Sequence, residues 1–240
     1  MELYQLPKNT GEYGLHLWTM PSPNNMQVQI ALEELKSEYG IQFSWTFMGP
    51  ETRGKKEPWY LALNPNGRMP TILDKTQGTP VSVMETGAIL TWLAEIHDKK
   101  QKFGFSDPAE KSQMMQWIFW SATGLAISFA HRFYFEHLTP ERIPMALDFH
   151  YKEAIRLLGV LDNHLGGISS SGPEREYVAG NGKGRYSYAD IAIFPWLSKS
   201  EGFGISKEDI APFLHVNAWF NRVASRQAVQ RGMNNYSQTV

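Results

Sequence analysis

The strand signals in this 240-residue chain stop near residue 97, and that change of pattern constrains the fold more than any motif does. Before it, extended and helical runs alternate. Residues 15–20 are largely apolar and are ended by Pro21-Ser22-Pro23, which predicts a strand and a turn. Val28, Ala31, Leu32 and Leu35 then recur at i, i+3, i+4 and i+7, the stripe of an amphipathic helix. Ser22 and Pro23 suit the N-cap and first position of that helix. Ile41, Phe43, Trp45 and Phe47 alternate with polar residues and predict a second strand. Residues 71–74 and 81–84 flank the turn-rich Lys75-Thr76-Gln77-Gly78-Thr79, a hairpin pattern, and Ile89, Trp92, Leu93 and Ile96 mark a helix opening at Glu85-Thr86.

Past residue 97 the pattern is helical. Ser106-Asp107-Pro108 opens a long helix reaching about residue 137. Thr139-Pro140-Glu141 opens another, whose stripe Leu147, Ala154, Leu157, Leu158, Leu161 and Leu165 is stopped by Gly166-Gly167. The Ser/Gly-rich residues 168–176 predict a loop. Ser187-Tyr188-Ala189-Asp190 reads as a capping box with Asp in the place of Glu, and a last helix covers about 216–230. The expected fold class is therefore α/β plus all-α: a domain over 1–97, a linker over 98–106, and an all-helical domain over 107–240.

Charge and cysteine exclude several functions. Lys and Arg total 23 against 24 Asp and Glu, which supplies neither a nucleic-acid field nor a polybasic membrane patch. The first residues lack the apolar core of a signal peptide, so the expected location is cytoplasmic. Cysteine is absent, which removes disulfides, Cys metal sites and any protein thiol nucleophile. If sulfur chemistry happens here, the sulfur arrives on a ligand. No metal is expected.

Four local patterns stand in a telling order: Pro21-Ser22-Pro23-Asn24, then Asn64-Pro65-Asn66-Gly67-Arg68-Met69-Pro70, then Glu85-Thr86-Gly87-Ala88-Ile89-Leu90, and the box from Ser187 to Asp190. With them the chain resembles the cytosolic glutathione S-transferases over about residues 15–229, and is most similar to the fungal and bacterial Nu- and Ure-like branch with Pro-Asn after strand one. The resemblance implies a thioredoxin-like N-terminal domain that holds glutathione and a helical domain contributing the second-substrate site. It also implies a homodimer.

Site residues follow from the same match. Pro70 resembles the family's cis-proline, with the Met69 backbone pairing to the peptide part of glutathione as a strand edge does. Glu85 and Thr86 sit where the γ-glutamyl head binds: a carboxylate for its ammonium, a hydroxyl and helix-terminal N–H groups for its carboxylate. Thr86 stands where the family usually has Ser. Lys55 and Arg68 are candidates for the glycine carboxylate; each is equally readable as a solvated surface charge.

The chemistry implied is thiol activation. A free thiol of pKa ~8.5 is only a few per cent thiolate at pH 7, and a fixed donor beside the sulfur raises that fraction. Asn24 is the first candidate for that donor and Ser22 the second, although Ser is also a good N-cap and Asn a common turn residue. Asn25 replaces the Gly that this branch usually has after the Asn. Phe129, His131 and Phe133 are candidates to line the second-substrate pocket; an aromatic stripe at helical spacing is equally the mark of a core.

The leading expectation is a transferase adding the glutathione thiolate to a largely apolar small electrophile, with a biosynthetic pathway as one setting. The alternatives are a glutathione-dependent cis–trans isomerase, which consumes no glutathione, and a regulatory protein that binds glutathione without turnover. No nucleic acid or membrane partner is expected.

Overall fold

The computed structural model describes residues 14–49, 57–168 and 172–234. They form two compact units, one holding the chain up to His97 together with the stretch from Gln227 onward, the other spanning Asp98–Arg226.

The first unit is a four-stranded sheet of β1 (Leu15–Thr19), β2 (Phe43–Phe47), β3 (Thr71–Asp74) and β4 (Val81–Met84) in the order β2-β1-β3-β4. β2 returns parallel to β1 through helix α1 (Pro23–Tyr39), while β3 and β4 are antiparallel to their neighbours. Helices α2 (Pro58–Leu63) and α3 (Thr86–Ile96) complete the thioredoxin-like arrangement. Central β1 is buried throughout, whereas β2 lies at the sheet edge and its alternating aromatics are only half covered. Gly40 ends α1 at φ 70°, a left-handed position that costs glycine no Cβ clash.

The last helix departs from the sequence reading. Instead of one helix over 216–230 there are two, α9 (Leu214–Ala224) and α10 (Gln227–Asn234). The first buries Val216, Trp219 and Val223 in the helical unit; the second packs on α1 of the first. Gly232 permits that contact, because a Cβ there would lie 2.7 Å from the Ile30 backbone. Arg231 Nε reaches Glu33 Oε2 at 2.7 Å beside it. Glu33 is buried on α1 with Arg231 as its partner in this cover, and no apolar pattern announces it.

The helical unit runs through α4 (Pro108–Trp120), a π-helical turn at Ser121–Leu125, α5 (Ala126–His137), α6 (Pro144–Leu165), α7 (Tyr188–Ser198), the short α8 (Lys207–Ile210) and α9. Residues 98–106 are not a loose linker. The buried Asp98 carboxylate accepts from the backbone N–H groups of Lys102, Phe103 and Gly104 at 2.7–2.8 Å, and Phe103 and Phe105 are buried. α6 begins at Pro144 rather than at Thr139, because Thr139 turns its hydroxyl to the Phe135 and Glu141 carbonyls instead of capping. The capping box at Ser187 and Asp190 is present.

Candidate functional site

Sheet register gathers the first unit's candidates. Trp18 at the end of β1 pairs with Thr71 at the start of β3, and Thr71 pairs with Met84 at the end of β4. The three segments beyond that row therefore leave the same end of the sheet: the turn into α1, the loop before β3, and the N-terminus of α3.

The loop before β3 is braced from beneath. Asn64 Nδ2 donates to the Arg68 carbonyl (2.7 Å) and to Thr71 Oγ1 (2.8 Å), and its Oδ1 accepts from Asn66 N at 3.0 Å. Tyr60 OH donates to the same Arg68 carbonyl at 2.8 Å, and burial pushes its phenol up to about 12, so it stays protonated. The Met69–Pro70 bond is cis. Pro70 is buried and Met69 half-buried, and the Met69 main-chain N–H and C=O have no partner among the described residues. Arg68 is exposed and makes no ion pair among the described residues, so its guanidinium is available to an anion. Lys55 lies outside the described residues.

Glu85 holds φ 68°, a left-handed backbone rare for a residue with a Cβ and costing about 1–3 kcal/mol. The conformation ends β4 abruptly and turns the chain into α3, whose first intrahelical bond is Ile89 N to Glu85 O at 2.9 Å. The N–H groups of Thr86, Gly87 and Ala88 therefore lack helical acceptors and form a positive helix end. Glu85 Oε1 accepts from Asn66 Nδ2 at 3.4 Å, linking the two segments.

At the turn into α1, Ser22 has the extended backbone of an N-cap (φ −158°, ψ 156°), but its side chain makes no capping bond. Ser22 Oγ instead accepts from Asn25 Nδ2 at 2.7 Å. Asn24 Oδ1 accepts from Gln27 Nε2 at 3.5 Å, which leaves the Asn24 Nδ2–H₂ end without a partner among the described residues. Both candidates for holding a thiolate thus keep a donor to offer. Asn64, Tyr60 and Asn66 are supporting residues that sequence reasoning did not single out: Asn64 and Asn66 stand inside a motif already quoted, and Tyr60 carries no local signal. Asn25 was noted only as a departure from the usual Gly, not as a partner of Ser22.

The helical unit's candidates do not converge. Phe129 is fully buried, with its ring 6.2 Å from Trp196 and 5.7 Å from Phe203, and belongs to the core. Phe133, one turn on, packs partly exposed on Phe203. His131 faces away from that pair toward α6, with its ring 5.1 Å from His150. An open cleft of about 530 Å³ lies elsewhere in this unit, lined by Trp117, Trp120, His164 and Arg175 among others. The Trp117–Trp120 spacing of three was its available sequence signal. Burial lowers the His164 pKa, opposed by a 2.8 Å hydrogen bond with the Val178 carbonyl. Among the described residues no cluster of three or more His, Asp or Glu could hold a metal, and no helix is long and apolar enough to cross a membrane.

Comparison with known proteins gives the family. Residues 13–95 fit the glutathione S-transferase N-terminal domain model and residues 146–227 the C-terminal domain model. The disulfide-bond oxidoreductase YghU of Escherichia coli is 33% identical over 236 residues, covering 92% of this chain and 75% of its own length. The glutathione S-transferase-like protein gedE of Aspergillus terreus is 31% identical over 226 residues, covering 90% and 93%. A glutathione transferase family member from Pseudomonas fluorescens, solved with two glutathione bound, superposes with a TM-score of 0.78 at 32% identity, covering 92% of each chain. A sheet end with these three segments and domain matches on both units lead to one assignment: the chain belongs to the glutathione S-transferase family.

Proposed function

We propose that this chain is a glutathione transferase that ionises the glutathione thiol and adds it to a largely apolar electrophile. The observation that supports the reading is the Trp18–Thr71–Met84 row, beyond which the turn into α1, the loop carrying Met69 and the N-terminus of α3 leave the same end of the sheet. In this reading Glu85 takes the γ-glutamyl ammonium, while the Thr86 hydroxyl and the α3 N–H groups take the adjoining carboxylate. The Met69 main chain pairs with the cysteinyl segment beside Pro70, and Arg68 with Lys55 takes the glycine carboxylate. Asn24, and then Ser22, donate to the sulfur, so the thiol proton leaves to solvent and the thiolate attacks carbon, the electron pair of the bond that breaks departing with a leaving anion or moving onto the adjoining atom, where solvent protonates it. Of the α5 aromatics, Phe129 is core and His131 turns toward α6, which leaves the partly exposed Phe133 as the candidate substrate contact.

A second reading is glutathione-dependent disulfide exchange, favoured by the 33% identical relative named a disulfide-bond oxidoreductase. There the thiolate attacks a disulfide sulfur, releases one thiol, and a second glutathione resolves the mixed disulfide. The absence of cysteine in this chain means both thiols must be supplied by glutathione.

Product analysis with glutathione and a panel of alkyl, aryl and disulfide substrates separates the readings. A thioether with one thiol consumed supports the transferase. Glutathione disulfide as product supports exchange, unchanged glutathione with a rotated alkene supports isomerisation, and binding without turnover supports a regulatory role. We also propose that the chain acts as a homodimer, as the partly or largely exposed Tyr134, Leu138, Met145 and Phe149 favour. Light scattering that gives a monomer at micromolar concentration removes that proposal.

A further inference from the structure

Asn25 is buried to 1% exposure in the turn into α1, at a position where the resembling branch usually has no side chain at all. Its two amide ends are assigned by their partners. Met20 N, which can only donate, lies 3.3 Å from Oδ1, so the oxygen faces the backbone and the Nδ2–H₂ faces Ser22 Oγ at 2.7 Å. Ser22 Oγ is thereby made an acceptor on its inner side. Its own O–H is left to donate elsewhere, and it makes no helix-capping bond. A hydroxyl that accepts one hydrogen bond is also a better donor of the next.

We propose that Asn25 is a positioning residue for thiol activation: its amide locks the Ser22 hydroxyl with the proton directed outward, converting a hydroxyl free to rotate into a fixed second donor to the glutathione sulfur. The proposal rests on the reading of this turn as the thiol site. Asn25 does not touch the tripeptide in this account and acts only through Ser22.

The decisive variant is Asn25→Asp. A carboxylate keeps the acceptor for Met20 N–H and is suited to the third position of a helix, so the turn is retained. It also replaces the donor to Ser22 by an acceptor, which draws the Ser22 proton inward and presents a lone pair to the sulfur. Ultraviolet titration of bound glutathione should show the thiol pKa raised by about one unit, a tenfold fall in the thiolate-to-thiol ratio at a given pH. Glutathione affinity measured at pH 6, where the thiol is protonated, should change less than threefold. The new charge would itself raise the thiol pKa, so the substitution is repeated in a Ser22→Ala background. There the shift should fall to half or less. Asn25→Ala, which adds no charge, should raise the pKa by a few tenths with Ser22 present and by nothing without it.

An equal Asn25→Asp shift in both backgrounds overturns the proposal, because charge alone then explains it, and so does no shift in either background. If the wild-type chain binds glutathione without lowering its thiol pKa, the reading of the turn as a thiol site fails, and this inference fails with it.

Discussion

Asn66 Nδ2 lies 3.4 Å from Glu85 Oε1, joining the loop before β3 to the residue that starts α3 with a left-handed backbone. One contact thus ties the segment offering main-chain groups to the one offering a carboxylate beside a positive helix end. The strained φ of Glu85 gains a purpose if that carboxylate receives an ammonium.

Glu85→Ala should weaken glutathione binding at least tenfold by calorimetry. The ammonium would lose a charged partner, a loss of roughly 1.5–3 kcal/mol. Asn66→Ala should produce a smaller effect in the same direction, since it loosens the carboxylate without removing it. Equal affinity for wild type and Glu85→Ala would take Glu85 out of the site.

Asn24→Ala should lower kcat more than it weakens glutathione binding, with Ser22→Ala a milder version. A donor to sulfur favours thiolate over thiol and therefore acts on reactivity rather than on holding the tripeptide. Steady-state kinetics alongside calorimetry reads the split. A loss of affinity equal to the loss of kcat/KM would make Asn24 a binding residue instead. If only Ser22→Ala moves kcat, the order of the two donors is reversed.

What the sequence made legible was periodic or punctuated. The hairpin of β3 and β4 falls at the predicted residues because Lys75 to Thr79 is dense in turn formers and both strands are short and apolar. The start of α7 was readable because Ser187 and Asp190 carry a capping box at fixed spacing. The long-range packing was not readable. The return of α10 to α1 depends on Gly232 meeting the Ile30 backbone across some two hundred residues, a contact that no local pattern encodes.

The site divides in the same way. The cis bond before Pro70 was legible because its neighbours form a recognisable string. The use of the Ser22 hydroxyl was not, because Ser before Pro reads as an N-cap whether or not the cap bond forms. Phe129 and His131 sit on one helix at a spacing of two, which faces them differently; reading them as a joint lining ignored that rotation.

His16 should make stability fall between pH 6.5 and about 4. Burial in β1, and secondarily the Lys75 charge, lower its pKa from 6.5 to about 4, while Ser44 Oγ and Thr46 Oγ1 bond its two ring nitrogens at 2.7 and 3.0 Å. In that window the unfolded chain takes up a proton that the folded chain refuses. Stability from this group is therefore complete above pH 6.5 and lost as pH falls toward 4, by about 2–3 kcal/mol. Urea titrations of wild type and His16→Gln at pH 7 and 4.5 isolate the effect. The wild type should lose more over that range, and parallel losses would refute the assignment.

Asp190→Ala should be the most damaging single change in the helical unit. The fully buried carboxylate accepts from Trp219 Nε1 at 2.8 Å and Val178 N at 3.1 Å through Oδ1, and from Ser187 N at 2.8 Å through Oδ2. One side chain therefore fastens the start of α7, the 176–186 segment and α9 together. Truncation leaves three buried N–H donors without acceptors and a void beneath Trp219, a cost of roughly 3–5 kcal/mol. Asp190→Asn retains one acceptor but sets an amide N–H₂ against a donor, so it should fall between the two. Denaturation followed by tryptophan fluorescence reads the loss, and hydrogen exchange should place it at Val178 and the first turn of α7. A loss below about 1 kcal/mol for Asp190→Ala would show that these donors find water or other acceptors, and that the box serves only the helix start.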